Sequence, residues 1–160
     1  MKLRLAVRTL LLLVAPLSAP AQALSPQQID EMTGKVQQSH IDANVPPKQD
    51  FDRLLRRDLT TYFGSEDKLG VRVEYELLRD GPTQIGVGPP KYFLWIRVVD
   101  RGAVVREGAA RVAAMERKRF EVTHFLERDD IERDPSQLHL LFPPPVASEI
   151  EARIEHGGPP

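Results

Sequence analysis

Hydrophobic side chains recur along residues 51–63 at the spacing of one helical face. Phe51, Leu54, Leu55, Leu59, Tyr62 and Phe63 fall at i, i+3, i+4, i+8, i+11 and i+12, and Asp52, Arg53, Arg56, Arg57 and Asp58 take the other face. The spacing predicts a helix, preceded by Pro46-Pro47 and ended by Gly64 in the left-handed conformation. Six large apolar side chains on one face need a surface to cover. The pattern then changes to period two. Val71, Val73, Tyr75 and Leu77 alternate with Arg72, Glu74 and Glu76, which predicts a half-buried strand. Residues 92–99 are almost wholly apolar and predict a central strand covered on both faces. Asp100-Arg101-Gly102 turns the chain into a longer strand over 104–115, and Glu116-Arg117-Lys118-Arg119 turns it into a fourth over 120–126. Such short intervals predict hairpins. The expected fold class is α+β, a long helix packed on a four-stranded antiparallel meander sheet.

Shorter elements flank this unit. Ser25, Pro26 and Gln28 form a capping box with proline at the first helical position, and Ile29, Met32 and Val36 lie on one stripe. Gly34 weakens that short helix, and residues 37–44 read as a polar linker. Downstream, Asp129-Asp130-Ile131-Glu132 predicts one helical turn capped by its aspartates. Leu138, Leu140, Leu141 and Phe142 are expected to be buried. Pro143-Pro144-Pro145 then opens a terminal helix carrying Val146, Ile150 and Ile154. The expected division is a signal over 1–23, an N-terminal helix and linker over 24–47, one α+β domain over 48–156, and a disordered tail over 157–160.

The first 23 residues carry the three parts of a cleavable secretory signal. Lys2, Arg4 and Arg8 are basic, Leu10 to Leu17 are apolar except for Pro16, and Ala21-Gln22-Ala23 is a small-x-small cleavage site. The apolar run is well short of the ~20 residues that span a bilayer, so no stable anchor is expected after cleavage. A periplasmic or secreted location follows. Removing three basic residues from 22 leaves 19 against 23 acidic ones, a net charge of about −4. That balance argues against nucleic acid as a partner, because the phosphate backbone rewards a strongly basic face. The sequence has no cysteine, so packing alone must hold the domain and thiolate zinc sites are excluded.

The order of one long helix and four antiparallel strands over residues 48–126 resembles the cystatin-like arrangement, in which a curled sheet wraps a helix. The first hairpin of cystatin protease inhibitors carries Gln-x-Val-x-Gly; here the loop reads Gln84-Ile85-Gly86-Val87-Gly88, with the valine displaced by one. The Pro-Trp hairpin of that family is replaced by Glu116-Arg117-Lys118-Arg119, and the single tryptophan, Trp95, lies mid-strand. The resemblance implies the fold and, as a narrower possibility for function, protease inhibition. The chain is also similar in general look to exported proteobacterial proteins, which implies no activity.

Catalytic chemistry finds little support. None of the four histidines pairs with another at metal-ligand spacing. His124, taken to share a strand face with Phe120, Val122 and Leu126, is read first as a buried neutral imidazole and second as a catalytic group. Glu127, Asp129, Asp130 and Glu132 are close together but lack the alternation and glycine of a calcium loop. No nucleophile elbow or phosphate-binding loop is present, and no cofactor is expected. The remaining feature is the loop over 79–91, which is long for a hairpin and holds Ile85 and Val87 in a Gly/Pro frame. It either contacts a partner through Gln84, Ile85 and Val87 or folds back onto its own domain.

Three functional readings follow. The first is a non-catalytic binding module acting through loop 80–90 on an envelope protein. The second is a small-ligand or enzymatic pocket between helix and curled sheet, lined by Tyr62, Tyr75, Tyr92, Trp95 and His124. The third is a structural subunit with an exposed apolar sheet face around Phe93 and Trp95.

Overall fold

A computed structural model describes residues 25–64 and 71–156; the expected leader, residues 65–70 and the expected tail lie outside them. Helix α1 (Pro26–Asn44) opens with the expected capping box: the Ser25 side chain accepts from the Gln28 amide, and the Gln28 side chain accepts from the Ser25 amide. It does not give way to a linker at Gln37. No proline interrupts the chain before Pro46, and Lys35–Glu31 and Gln38–Asp42 pairs at 2.7 and 2.8 Å knit the polar surface at i, i+4 spacing. None of its residues is buried.

Helix α2 (Lys48–Phe63) buries Leu54, Leu55, Leu59 and Phe63. Gly64 ends it with φ −74° and ψ 142°, an extended rather than left-handed conformation. The glycine is required for space instead. A Cβ at this position would lie 2.5 Å from the Thr60 carbonyl oxygen.

Strands β1 (Arg72–Leu77), β2 (Lys91–Asp100), β3 (Ala103–Met115) and β4 (Arg119–Glu127) pair antiparallel in the order β1-β2-β3-β4. Interior strand β2 is buried on both faces, as its apolar run predicts. Tyr92, Leu94, Ile96 and Val98 pack with α2, and Phe93 and Trp95 face away from it. That second face is covered by α3 (Arg128–Arg133), α4 (Ser136–Leu141) and α5 (Pro144–Glu155), through Ile131, Leu138, Val146 and Ile150. The sheet therefore lies between two helical layers, and Phe93 and Trp95 form no exposed patch.

Three local expectations change. The N-cap of α3 is Glu127 without a side-chain cap bond, so Asp129 and Asp130 sit inside the first turn, where their charge still favours the helix N-terminus. Leu140 is 81 % exposed: α4 turns Leu138 inward, and two residues later the helix faces out. A β-bulge shifts the β3–β4 register between Arg111 and Val112. It separates His124 from Phe120 and Val122, which pack with α2, and places it with Leu126 on the α4 side.

Candidate functional site

The excursion between β1 and β2 is shorter than its sequence suggests. Thr83 and Lys91 exchange backbone hydrogen bonds of 2.8 and 2.9 Å, which leaves 84–90 as the tip. Within the tip, the Gln84 side-chain Nε2 donates to the carbonyls of Gly86 and Gly88, and Gly86 takes φ +59°, a conformation suited to glycine. Ile85 and Val87 are 86 % and 84 % exposed, so the tip does not fold back on its domain. On one side, Gly86 and Val87 face the stripe of α1, and with Ile29, Met32 and Val36 they line an open apolar groove of about 370 Å³. On the other side, Ile85 contributes to a cavity of about 410 Å³ bounded by β2, β3 and the α4–α5 corner.

The five residues expected to line a helix–sheet pocket are not brought together there; of them, Tyr75 and Trp95 share a small cavity of about 210 Å³ beside Arg153. Tyr62 is exposed, its ring edge-on to Phe63 at 4.8 Å. The Tyr75 hydroxyl donates to Asp52 at 2.7 Å, and burial together with that bond pushes its pKa up to about 12. Tyr92 packs against Phe51 and Phe120, and burial raises it likewise to about 12. Trp95 is an odd number of residues from Tyr92 and so emerges on the other face. The bulge sends His124 to that same other face. Between α2 and the sheet, Leu54, Leu55, Leu59 and the half-buried Phe51 fill the space.

A polar cluster on the α5 side is structural. Arg153, only 5 % exposed, forks onto Glu76 with two bonds of 2.8 Å and lies 5.7 Å from the Trp95 ring centroid. The Arg153 hydrogen bond holds the Glu76 carboxyl below its ordinary range. Arg97–Glu74 and Arg128–Glu107 pairs continue the cluster, and Trp95 donates to Glu107 at 2.9 Å. The Arg153–Glu76 and Arg128–Glu107 pairs tie α5 and α3 to the sheet. His40 lies in α1, His139 contacts Glu151 at 3.1 Å, and His156 ends α5. Among the described residues, no three side chains converge as metal ligands.

Arg111 is the residue that sequence patterning misses. Its Nε donates to Thr123 Oγ1 at 3.2 Å, Nη1 to the Leu141 carbonyl at 3.3 Å, and Nη2 to His124 Nδ1 at 2.6 Å. Accepting at Nδ1 fixes His124 as the neutral tautomer with hydrogen on Nε2. Burial, then the positive charges of Arg111 and Lys91, hold the His124 pKa below its ordinary value. The signal in the sequence is a single arginine set among Ala109, Ala110, Val112, Ala113 and Ala114. Comparison with protein-family models, curated proteins and solved structures found no match.

Proposed function

We infer that the chain is an exported, non-catalytic binding module that holds an apolar segment of a partner envelope protein between loop 80–90 and the α1 stripe. One observation carries this reading: Ile29, Met32, Val36 and Val87, each at least half exposed, line one groove, and the exposed Ile85 stands beside it. Single exposed apolar residues are ordinary on a protein surface, but a contiguous set marks a contact site. The α1 stripe is left about half exposed, and no residue of α1 is fully buried against the domain. Among the described residues, hydrogen bonds to the rest of the domain hold α1 at its C-terminal end, by Arg117 N–H to the Asn44 carbonyl at 2.8 Å, Glu116 N–H to the Asn44 side chain at 3.2 Å and Arg117 Nη1 to the Asp42 carbonyl at 3.3 Å. Export rests on the leader pattern; cleavage after Ala23 would leave Leu24 directly before the Ser25 cap.

A photo-crosslinking amino acid in place of Val87, activated in intact cells, tests the reading. A discrete adduct with a second protein is expected, and Met32→Asp with Val36→Asp should abolish it. The double change Ile85→Asp/Val87→Asp should move stability by no more than about ±0.5 kcal/mol per site, as for other exposed positions. An adduct of twice the chain mass would identify a second copy instead. No adduct, or one indifferent to the α1 changes, would overturn the proposal.

A further inference from the structure

The second cavity beside the loop has a different character from the α1 groove. Most arginines in the described residues face a carboxylate: Arg53, Arg56, Arg57, Arg72, Arg97, Arg106, Arg128, Arg133 and Arg153 all form ion pairs. Among the described residues, the lysines and arginines without such a partner are exposed, with two exceptions. Lys91 and Arg111 are partly buried, have no carboxylate within ion-pair distance among the described residues, and line the same cavity. On the sheet, Lys91 pairs with Ala113 and Phe93 pairs with Arg111, so the two cations stand diagonally on one face. Their Cα atoms are about 7–8 Å apart on that geometry. Glu121, across Ala113 on β4, is exposed and forms no ion pair with either.

Two partly buried cations on one face with no counter-charge between them are placed to share an anion. Arg111 is already oriented for one. Its three hydrogen-bond acceptors are all neutral: a hydroxyl, a carbonyl and an imidazole. Of the five guanidinium hydrogens, one on each terminal nitrogen is left uncommitted, which matches the two oxygens of a carboxylate. The helix dipole of α5 adds no donors here, since Pro144 and Pro145 bring no amide hydrogen. The remaining walls are apolar. Phe93 and Phe142 are 2 % and 4 % exposed, and Leu140 and Ile85, at 81 % and 86 %, lie where a bound apolar body would cover them. A volume of about 410 Å³ lies in the range of small-molecule sites.

We propose that this cavity binds a small amphipathic carboxylate, its head on Arg111 and Lys91 and its apolar body against Phe93, Phe142 and Leu140. This goes beyond the protein-docking role of the α1 groove and does not depend on it.

Calorimetry on the mature chain with four probes tests the assignment. Octanoate should bind saturably; octanol, which lacks the charge, and acetate, which lacks the apolar body, should each bind at least tenfold more weakly, as should octylammonium. Lys91→Gln should weaken octanoate at least tenfold with an unchanged melting temperature. Arg111→Gln should do the same, and Lys91→Gln serves alone if loss of the Thr123 and Leu141 bonds prevents that variant from folding. Leu140→Asp should also weaken octanoate, whereas Val87→Asp, in the α1 groove, should leave it unchanged. Octanol binding as tightly as octanoate, indifference to Lys91→Gln, or no saturable binding in the millimolar range would overturn the site. An apolar tripeptide with a free carboxyl that outcompetes octanoate would overturn the small-acid assignment in favour of a protein C-terminus.

Discussion

His124 shows how a single register shift redirects a side chain. With strict alternation it would share the α2 face with Phe120 and Val122; the bulge opposite Arg111 turns it to the α4 side, beside a guanidinium. Nothing in the sequence marks that bulge, so the face of His124 was not legible, although its reading as a neutral imidazole with a hydrogen-bond partner was. Burial holds its pKa down first, and the positive charges of Arg111 on β3 and Lys91 on β2 add to that effect. A histidine whose folded pKa lies below the unfolded value binds fewer protons in the folded state. Its stabilising contribution is therefore present above the ordinary value of 6.5 and is lost as pH falls through that value toward the lowered one. The melting temperature should drop on acidification below about 6.5. His124→Asn keeps an acceptor for Arg111 but does not titrate, so its drop should be shallower. Equal drops in the two proteins would show that protonation elsewhere sets the pH dependence. Exposure at the loop tip was easier to anticipate: Ile85 and Val87 sit in a Gly/Pro frame that lacks the periodicity of a packed element.

At the scale of elements, periodicity was a good guide wherever a face is buried. The stripe of α2 and the continuous apolar run of β2 both formed as expected, because burial selects their period and register. Polar ends were less legible. Residues 37–44 carry no apolar stripe, yet they extend α1 by local side-chain pairs and by the absence of a breaker. Glycine shows the same contrast. Gly34 lies within α1 with nothing within 4 Å of where a Cβ would stand, whereas at Gly64 a Cβ meets the Thr60 carbonyl oxygen at 2.5 Å. One substitution thus has opposite expected signs. Gly34→Ala should stabilise α1 by about 0.5–1 kcal/mol, the difference in helix propensity, seen as slower amide exchange in that helix. Gly64→Ala should lower the unfolding midpoint by the equivalent of about 1–3 kcal/mol, because backbone must move to admit the methyl. A neutral Gly64→Ala would mean that the α2 terminus opens at no cost.

Across the whole molecule, the chain builds two apolar cores on opposite faces of one sheet. The α2 core and the α3–α5 core touch through β2, whose successive residues Tyr92 to Ile96 belong alternately to one and the other. The second core was only partly foreseeable: the Val146, Ile150 and Ile154 stripe marks α5, but Ile131 and Leu138 lie in six-residue helices too short to show a period, and Phe142 lies between α4 and α5. A shared sheet couples the layers, since neither helical layer has a complete core without the strands between them. Unfolding should therefore be a single transition. Trp95 is the single tryptophan and lies under α5, so its fluorescence reports on the second layer alone. Leu55, 0 % exposed on α2, belongs to the first layer. Leu55→Ala should cost about 2–5 kcal/mol, as large-to-small changes in a packed core do. That loss should displace the Trp95 fluorescence transition and the far-ultraviolet dichroism transition together in urea. Ile150→Ala should do the same from the other side, and the two losses should add to within about 0.5 kcal/mol, because the residues share no partner. If Leu55→Ala shifts the dichroism curve and leaves the fluorescence curve in place, the layers unfold separately and the sheet does not couple them.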